Sequence, residues 1–496
     1  MNYPIIVGAL LASLLPFSAS AEITDFGDGL TNLSPSRILF NAQGQAKHWN
    51  GVGRIHSALG SSCTATLLDT RSPDSPPDAP AYLLTNGHCI NRQNGLILTD
   101  EEIKGTIEFN FFTDSAARSY HLKRVRWSSM QGVDLAIVEL VPTLQSLIDD
   151  GIQPLRLASQ MPEPGRDVLW VGAPLYKDTG HLRLAACKHQ ASGEILEQPW
   201  VWRHTLRNQC KDTGTGASGS PLLLRDSQQI FGVLNTSTEG MPSDEENEAL
   251  KAAGYPPQAA DSNFGSPVIR LNDCFIGGLL STDPERCSLF PTFSIRFKNP
   301  QMSHSYYARV RLDPEGRDIY PGWNLRFSAD TPFYRYKQAD HPLQCEDPVG
   351  YSAALSSRTA AIDEPIDRRI GINWLCLVGV NSADERPEPG LMRNALTLAV
   401  ELQAAGPTPP PQMSIELNHA GTYVVRWLYE SSLIDHYTLK AGPPETTDCS
   451  DPNGFRRRPG DSVLIPARSL LRKICTYAHD VNGQRSVVRE DLLPAP

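Results

Sequence analysis

Forty prolines and 37 glycines cut this 496-residue chain into short segments, and that punctuation constrains the fold more than any other feature. Between Gly51 and about Cys287 the apolar runs are short: Thr64-Ala65-Thr66-Leu67-Leu68, Ala81-Tyr82-Leu83-Leu84, Leu135-Ala136-Ile137-Val138 and Val168-Leu169-Trp170-Val171. Gly, Pro, Asp and Ser bound them, as they bound the strands of a packed β domain, so the expected class is all-β. One surface helix is expected over Ser243–Ala253, where Ser243 is followed three residues later by Glu246. At about 150 residues per domain the length suggests roughly three domains. A hydrophobic fraction of 40% with 20% charged residues excludes a polytopic membrane protein and a mostly disordered one. The formal net charge of −10 leaves no basic field for phosphates, so nucleic acid is not an expected partner.

Residues 1–21 read as a signal peptide: an apolar stretch from Ile5 to Phe17 ends in Ala19-Ser20-Ala21, although no Lys or Arg precedes it. The apolar stretch is too short to span a bilayer, and no membrane anchor is expected. Export to an oxidising compartment gives the ten cysteines a meaning. None forms a CxxC pair of the kind zinc sites use, so disulfides are expected and no metal or cofactor is. Sequential pairing is the simplest hypothesis: Cys63 with Cys89, Cys187 with Cys210, Cys274 with Cys287, Cys345 with Cys376 and Cys449 with Cys475.

The C-terminal two hundred residues hold an internal repeat. Cys345-Glu346-Asp347-Pro348-Val349-Gly350-Tyr351 matches Cys449-Ser450-Asp451-Pro452-Asn453-Gly454-Phe455, each after a Tyr-bearing strand and before a strand carrying the second cysteine. Between the copies, Gly406-Pro407-Thr408-Pro409-Pro410-Pro411 reads as a semi-rigid spacer. The expected organisation is a propeptide or extension over 22–50, a first large domain over 51–288, a sandwich over 289–404, a linker over 405–411 and a second sandwich over 412–496. Alternation at Tyr423, Val425 and Trp427 supports that second sandwich. This copy resembles fibronectin type III domains in its early Trp427 and in Leu471 lying six residues before Tyr477, though most members of that family lack a disulfide.

In the first large domain, Thr85-Asn86-Gly87-His88-Cys89 follows a strand, Val133-Asp134-Leu135-Ala136-Ile137 opens another, and Thr213-Gly214-Thr215-Gly216-Ala217-Ser218-Gly219-Ser220-Pro221 forms a glycine-rich loop. These segments offer a base, an acid and a nucleophile. A serine hydroxyl needs an imidazole to take its proton and a carboxylate to orient that imidazole. The glycines leave room for backbone N–H groups to face a developing oxyanion.

In their His, Asp, Ser order and flanking residues these segments resemble the chymotrypsin-like serine proteases, in the branch with bacterial glutamyl and lysyl endopeptidases. The resemblance spans about residues 50–240. It implies a chymotrypsin-like double β-barrel, which the repeat described above would follow with two tandem disulfide-closed β-sandwiches. It also implies His88, Asp134 and Ser218 as triad, an oxyanion hole from the N–H groups of Gly216 and Ser218, and a Cys63–Cys89 disulfide beside the histidine. Asp212, six residues before Ser218, falls at the base of the primary pocket and would favour Arg or Lys, with Thr213 and Asn235 lining the substrate site. Phe231-Gly232-Val233-Leu234-Asn235-Thr236 lacks the histidine of glutamyl endopeptidases. Ala217 stands where zymogens of this family carry the Asp that receives a new N-terminus. Asn86 and Gly87 replace two alanines, with an expected consequence for packing and none for chemistry. The reading is a secreted serine endopeptidase acting on proteins or peptides, its sandwiches directed to an extracellular surface target. Two alternatives are an α/β-hydrolase esterase, opposed by the residue order and by Ser220 where the elbow needs glycine, and an inactive protease-like binding protein.

Overall fold

The computed structural model describes residues 35–57, 62–175, 180–197, 199–238, 261–298, 307–427, 433–457, 462–469 and 472–493. The signal segment, the helix expected over Ser243–Ala253 and Leu471 lie outside them.

Six strands close the first barrel, in the order Arg118–Ser129, Gly105–Phe109, Val52–Ser57, Ser62–Leu67, Pro80–Thr85 and Leu135–Thr143, the last pairing back onto the first. A second ring runs through Arg183–Gln190, Asp167–Gly172, Pro221–Leu224, Ile230–Ser237, Asn263–Pro267 and Leu206–Asn208, which returns to Arg183–Gln190. The continuous apolar runs now have a reason. Ala136, Val138 and Leu140 point into the first barrel, whereas Leu135 and Ile137 pack into the core between the barrels. Val168 and Trp170 likewise fill the second barrel while Leu169 and Val171 join that shared core. A strand buried on both faces cannot alternate with polar residues.

The described part of the 22–50 stretch lies on the second barrel. Arg37–Ile38 pairs antiparallel with Leu184 and Arg183, and Trp49 is buried in the shared core.

Beyond the barrels come two sandwiches. The first sets a three-stranded sheet (Ile295–Phe297, Leu325–Ala329, Ala361–Ile362) with a five-stranded one containing Phe333–Ala339, Gly371–Val380 and Leu396–Gln403. The second sets Met413–Leu417, Thr422–Trp427 and Ser462–Pro466 with a four-stranded sheet led by Ile434–Gly442 and Lys473–Asp480. The cysteines pair sequentially, with Cα separations from 4.3 to 6.2 Å.

The repeated motif is a loop clamp built twice. The Asp347 and Asp451 carboxylates accept from the N–H two residues on, at 2.9 and 3.0 Å, and Gly350 and Gly454 take φ of +85° and +90°. Lys337 then donates to the carbonyls of Asp347 and Val349 above the Tyr351 ring, and Lys440 donates to those of Asp448 and Asp451 above Phe455. The shared sequence therefore has a structural cause.

The spacer does not hold the modules apart. Arg309 of the first sandwich lies 3.2 Å from Asp480 of the second, both nearly fully buried, and Thr408 within the proline run donates to the same carboxylate. The junction near residue 289 is equally closed: Asn394 donates to the carbonyls of Leu289 and Pro291, and Ile295 N donates to Gly95 O.

Candidate active site

His88 and Asp134 meet at the mouth of the first barrel. The strand Pro80–Thr85 delivers His88 and pairs with Leu135–Thr143, whose start carries Asp134. Asp134 Oδ2 lies 2.6 Å from His88 Nδ1, and Oδ1 accepts the His88 backbone N–H at 2.9 Å. The carboxylate is 2% exposed and the imidazole 17%. Because an ionised carboxylate only accepts, it holds the ring proton on Nδ1 and leaves Nε2 with a lone pair. Burial pulls the imidazolium's pKa down, but the Asp134 charge and hydrogen bond, with a further contribution from Glu197, leave it above its ordinary value.

Asn86 is a site residue that sequence reasoning undervalued. Its Nδ2 donates to Asp134 O at 2.9 Å from a fully buried position, and the Ser266 hydroxyl lies 3.2 Å from both the N and the O of Asp134. A Cβ on Gly87 would stand 2.1 Å from Ser129 O, so alanine does not fit there. Gly87 thus answers to packing, as expected, whereas Asn86 also fixes the backbone that carries Asp134. Ser266 had no signal, since its strand follows a long intervening segment.

The Ser218 loop comes to this place from the second barrel. Thr64 N donates to Ser218 O at 2.8 Å, Thr64 Oγ1 to Gly216 O at 3.0 Å and Gly219 N to Leu234 O at 2.9 Å. Gly219, at φ +86°, leaves no room for a side chain, as a Cβ would lie 2.0 Å from Thr64 O and 2.3 Å from Thr85 Oγ1. Thr64 follows Cys63, whose disulfide to Cys89 adjoins His88. Ser218 is part-exposed, and its hydroxyl makes no hydrogen bond to His88. Among the described residues, neither Gly216 N nor Ser218 N donates a hydrogen bond, leaving both N–H groups open to a ligand oxygen. The Cys63, His88 and Cys89 ligand atoms lie within 4.8 Å of one another, but the two sulfurs are bonded and offer no thiolate for a metal.

The expected pocket residues separate. Asp212 is engaged by the N-terminal segment: its Oδ2 accepts from Ser36 N at 3.0 Å and from Ser36 Oγ at 2.8 Å, and Arg183 holds Ser36 in turn. Buried and holding the N-terminal segment through two hydrogen bonds, Asp212 is read as an anchor of that segment rather than as the pocket floor expected from the sequence. Thr213 Oγ1 bonds to Asn263 Oδ1 at 2.6 Å. Asn235 is different: among the described residues, both of its buried amide atoms lack a partner.

A hairpin that the sequence analysis passed over borders the site. Its strands Ile195–Glu197 and Trp200–Trp202 pair with each other, Trp202 bridges to Gly132 two residues before Asp134, and Glu197 Oε2 accepts from Trp202 Nε1 at 2.7 Å and Thr236 Oγ1 at 2.6 Å. The first sandwich packs on its back: Leu196 and Val201 bury against Ile372 and Trp374. Next to them the Arg203 guanidinium donates to Ala395 O, Thr397 Oγ1 and Arg393 O and lies 3.0 Å from Glu346.

Among known proteins, no curated sequence matches the chain. Solved structures similar to it include an inactive mutant form of Rv3671c from M. tuberculosis, at 17% identity over 48% of this chain and 92% of that one, TM-score 0.30. Others are the thermostable serine protease AL20 from an extremophilic microorganism, at 14% over 45% and 92%, TM-score 0.30, and neuropsin from mouse brain, at 13% over 48% and 95%, TM-score 0.30. Residues 64–233 match the family described as the trypsin-like peptidase domain. Those residues, which include His88, Asp134 and Ser218, are thus similar to a trypsin-like peptidase domain.

Proposed function

We propose that the protein is a secreted serine endopeptidase, and the observation that carries this is the two-point hold of Asp134 on His88, with a part-exposed Ser218 anchored to Thr64, next to the Cys63 that is bonded to Cys89. Ser218 Oγ attacks the peptide carbonyl while His88 Nε2 takes its proton, and Asp134 stabilises the imidazolium so formed. The oxyanion sits against the open N–H groups of Gly216 and Ser218. His88 then returns the proton to the leaving amine, giving an acyl-enzyme on Ser218. Water, deprotonated by His88, releases the acid and restores the serine. No metal or cofactor takes part in these steps.

Five disulfides support an exported life, and no described helix is long and apolar enough to cross a membrane. The glutamyl and lysyl endopeptidase branch remains the nearest reading of the motifs, with the second sandwich as a fibronectin type III-like module offered to an extracellular target. Labelling with a fluorophosphonate probe tests the activity. The native protein should label at Ser218, and Ser218→Ala should lose labelling and about 10⁶-fold in peptide cleavage with its fold intact. Cleavage retained in that variant would overturn the assignment.

A further inference from the structure

Glu197 is a part-buried acid that feels the charges of Asp134 and His88 but has no ion-pair partner in contact among the described residues. The two donors it has there, Trp202 Nε1 and Thr236 Oγ1, both bind Oε2. Oε1 therefore keeps its accepting capacity. Thr236 lies two residues beyond Leu234, the carbonyl of which anchors Gly219 beside Ser218, and Trp202 is bridged to Gly132 beside Asp134. The carboxylate thus stands between the nucleophile loop and the acid of the triad. Its neighbours are incomplete in the same way. Among the described residues the Asn235 amide has neither donor nor acceptor satisfied and Trp200 Nε1 has no partner, and the Trp200 and Trp202 rings stack at 6.2 Å, nearly parallel.

We infer that Glu197, the Asn235 amide and the indole pair form a subsite for a Lys or Arg side chain lying within a residue or two of the scissile bond. This rests on the peptidase reading above and replaces Asp212 as the source of any basic preference. A half-desolvated carboxylate gains most from a cation that arrives with the ligand, and aromatic faces beside it receive the aliphatic stem and the charge. Burial and the Asp134 charge hold the Glu197 carboxyl above the usual carboxylate range, the state a bound cation relieves. The hairpin keeps its place because the first sandwich buries its back, so the sandwich shapes the cleft.

The test uses the full chain and N-acetylated peptides, so that only side chains carry positive charge. Each position flanking the scissile bond is varied among Lys, Arg, norleucine and Glu. Binding to Ser218→Ala, measured by calorimetry, needs no catalysis. At one position Lys or Arg should bind about 10- to 100-fold tighter than norleucine, and adding Glu197→Gln should abolish that difference while norleucine peptides change by less than about threefold. Glu197→Gln keeps the shape and an acceptor for Trp202 and Thr236, and adding Glu197→Lys should turn the preference toward Glu peptides. No basic preference at any position, or an equal loss for all peptides, would overturn the subsite. Charge-dependent binding by Ser218→Ala without cleavage by the native protein would instead overturn the peptidase reading and leave the subsite standing.

Discussion

Replacing Arg203 by Met tests whether the first sandwich is part of the catalytic unit. The side chain is 1% exposed, with three hydrogen bonds of 2.6 to 2.9 Å to Ala395, Thr397 and Arg393 of the sandwich and a carboxylate at 3.0 Å. Methionine keeps most of the stem's packing and deletes the guanidinium. Hydrogen bonds to a charged donor each contribute about 1.5–3 kcal/mol, but they share one group and do not add. Breaking a buried pair from one side costs about 3–5 kcal/mol, which is the figure to expect for docking. With several cooperative units, one melting temperature would not report this loss. Native-state hydrogen exchange does. Amides of Trp200–Trp202 and Leu396–Gln403, whose protection depends on the docked state, should exchange faster by roughly a hundred- to a few thousand-fold. Combining it with Glu346→Gln should give a loss smaller than the sum by at least about 1 kcal/mol. Protection unchanged within about twofold would refute the reasoning, because it would mean that these contacts do not hold the sandwich on the hairpin.

The pH dependence of peptide cleavage has a set direction. His88 acts as a base only when neutral and its pKa is raised above the ordinary 6.5, so kcat/KM should fall on acidification with a midpoint above 6.5, and Asp134→Asn should lower that midpoint as well as the rate. The same shift stabilises the fold fully below pH 6.5, and that contribution fades as pH rises through the raised value. A midpoint below 6.5 in the native protein would contradict the Asp134 contact. Asp480→Asn should loosen the two sandwiches by about 3 kcal/mol, seen as a larger radius of gyration in solution scattering, because Arg309 would stay buried without its counter-charge.

Residue order alone carried the all-β class, the two-barrel expectation, the sequential disulfides and the contact of His88 with Asp134, because each leaves a local mark: punctuated apolar runs, even cysteine counts, short motifs around reactive side chains. What it could not carry was partnership between distant residues. Asp212 and Ser36 are 176 positions apart, and Arg203 and Ala395 192 apart. No periodicity relates such pairs, so a pocket acid and a structural acid look alike in sequence. The motif repeated after Cys345 and Cys449 was visible but mute until the Lys337 and Lys440 clamps explained it. Gly406–Pro411 looked like a spacer because composition describes the backbone's stiffness and says nothing of the Arg309 and Asp480 side chains that close the gap. Glu197 went unnoticed for the same reason: a lone carboxylate in a short hairpin acquires chemical meaning only when folding strips its water and brings two tryptophans, an amide without a partner among the described residues and the His88–Asp134 pair near it.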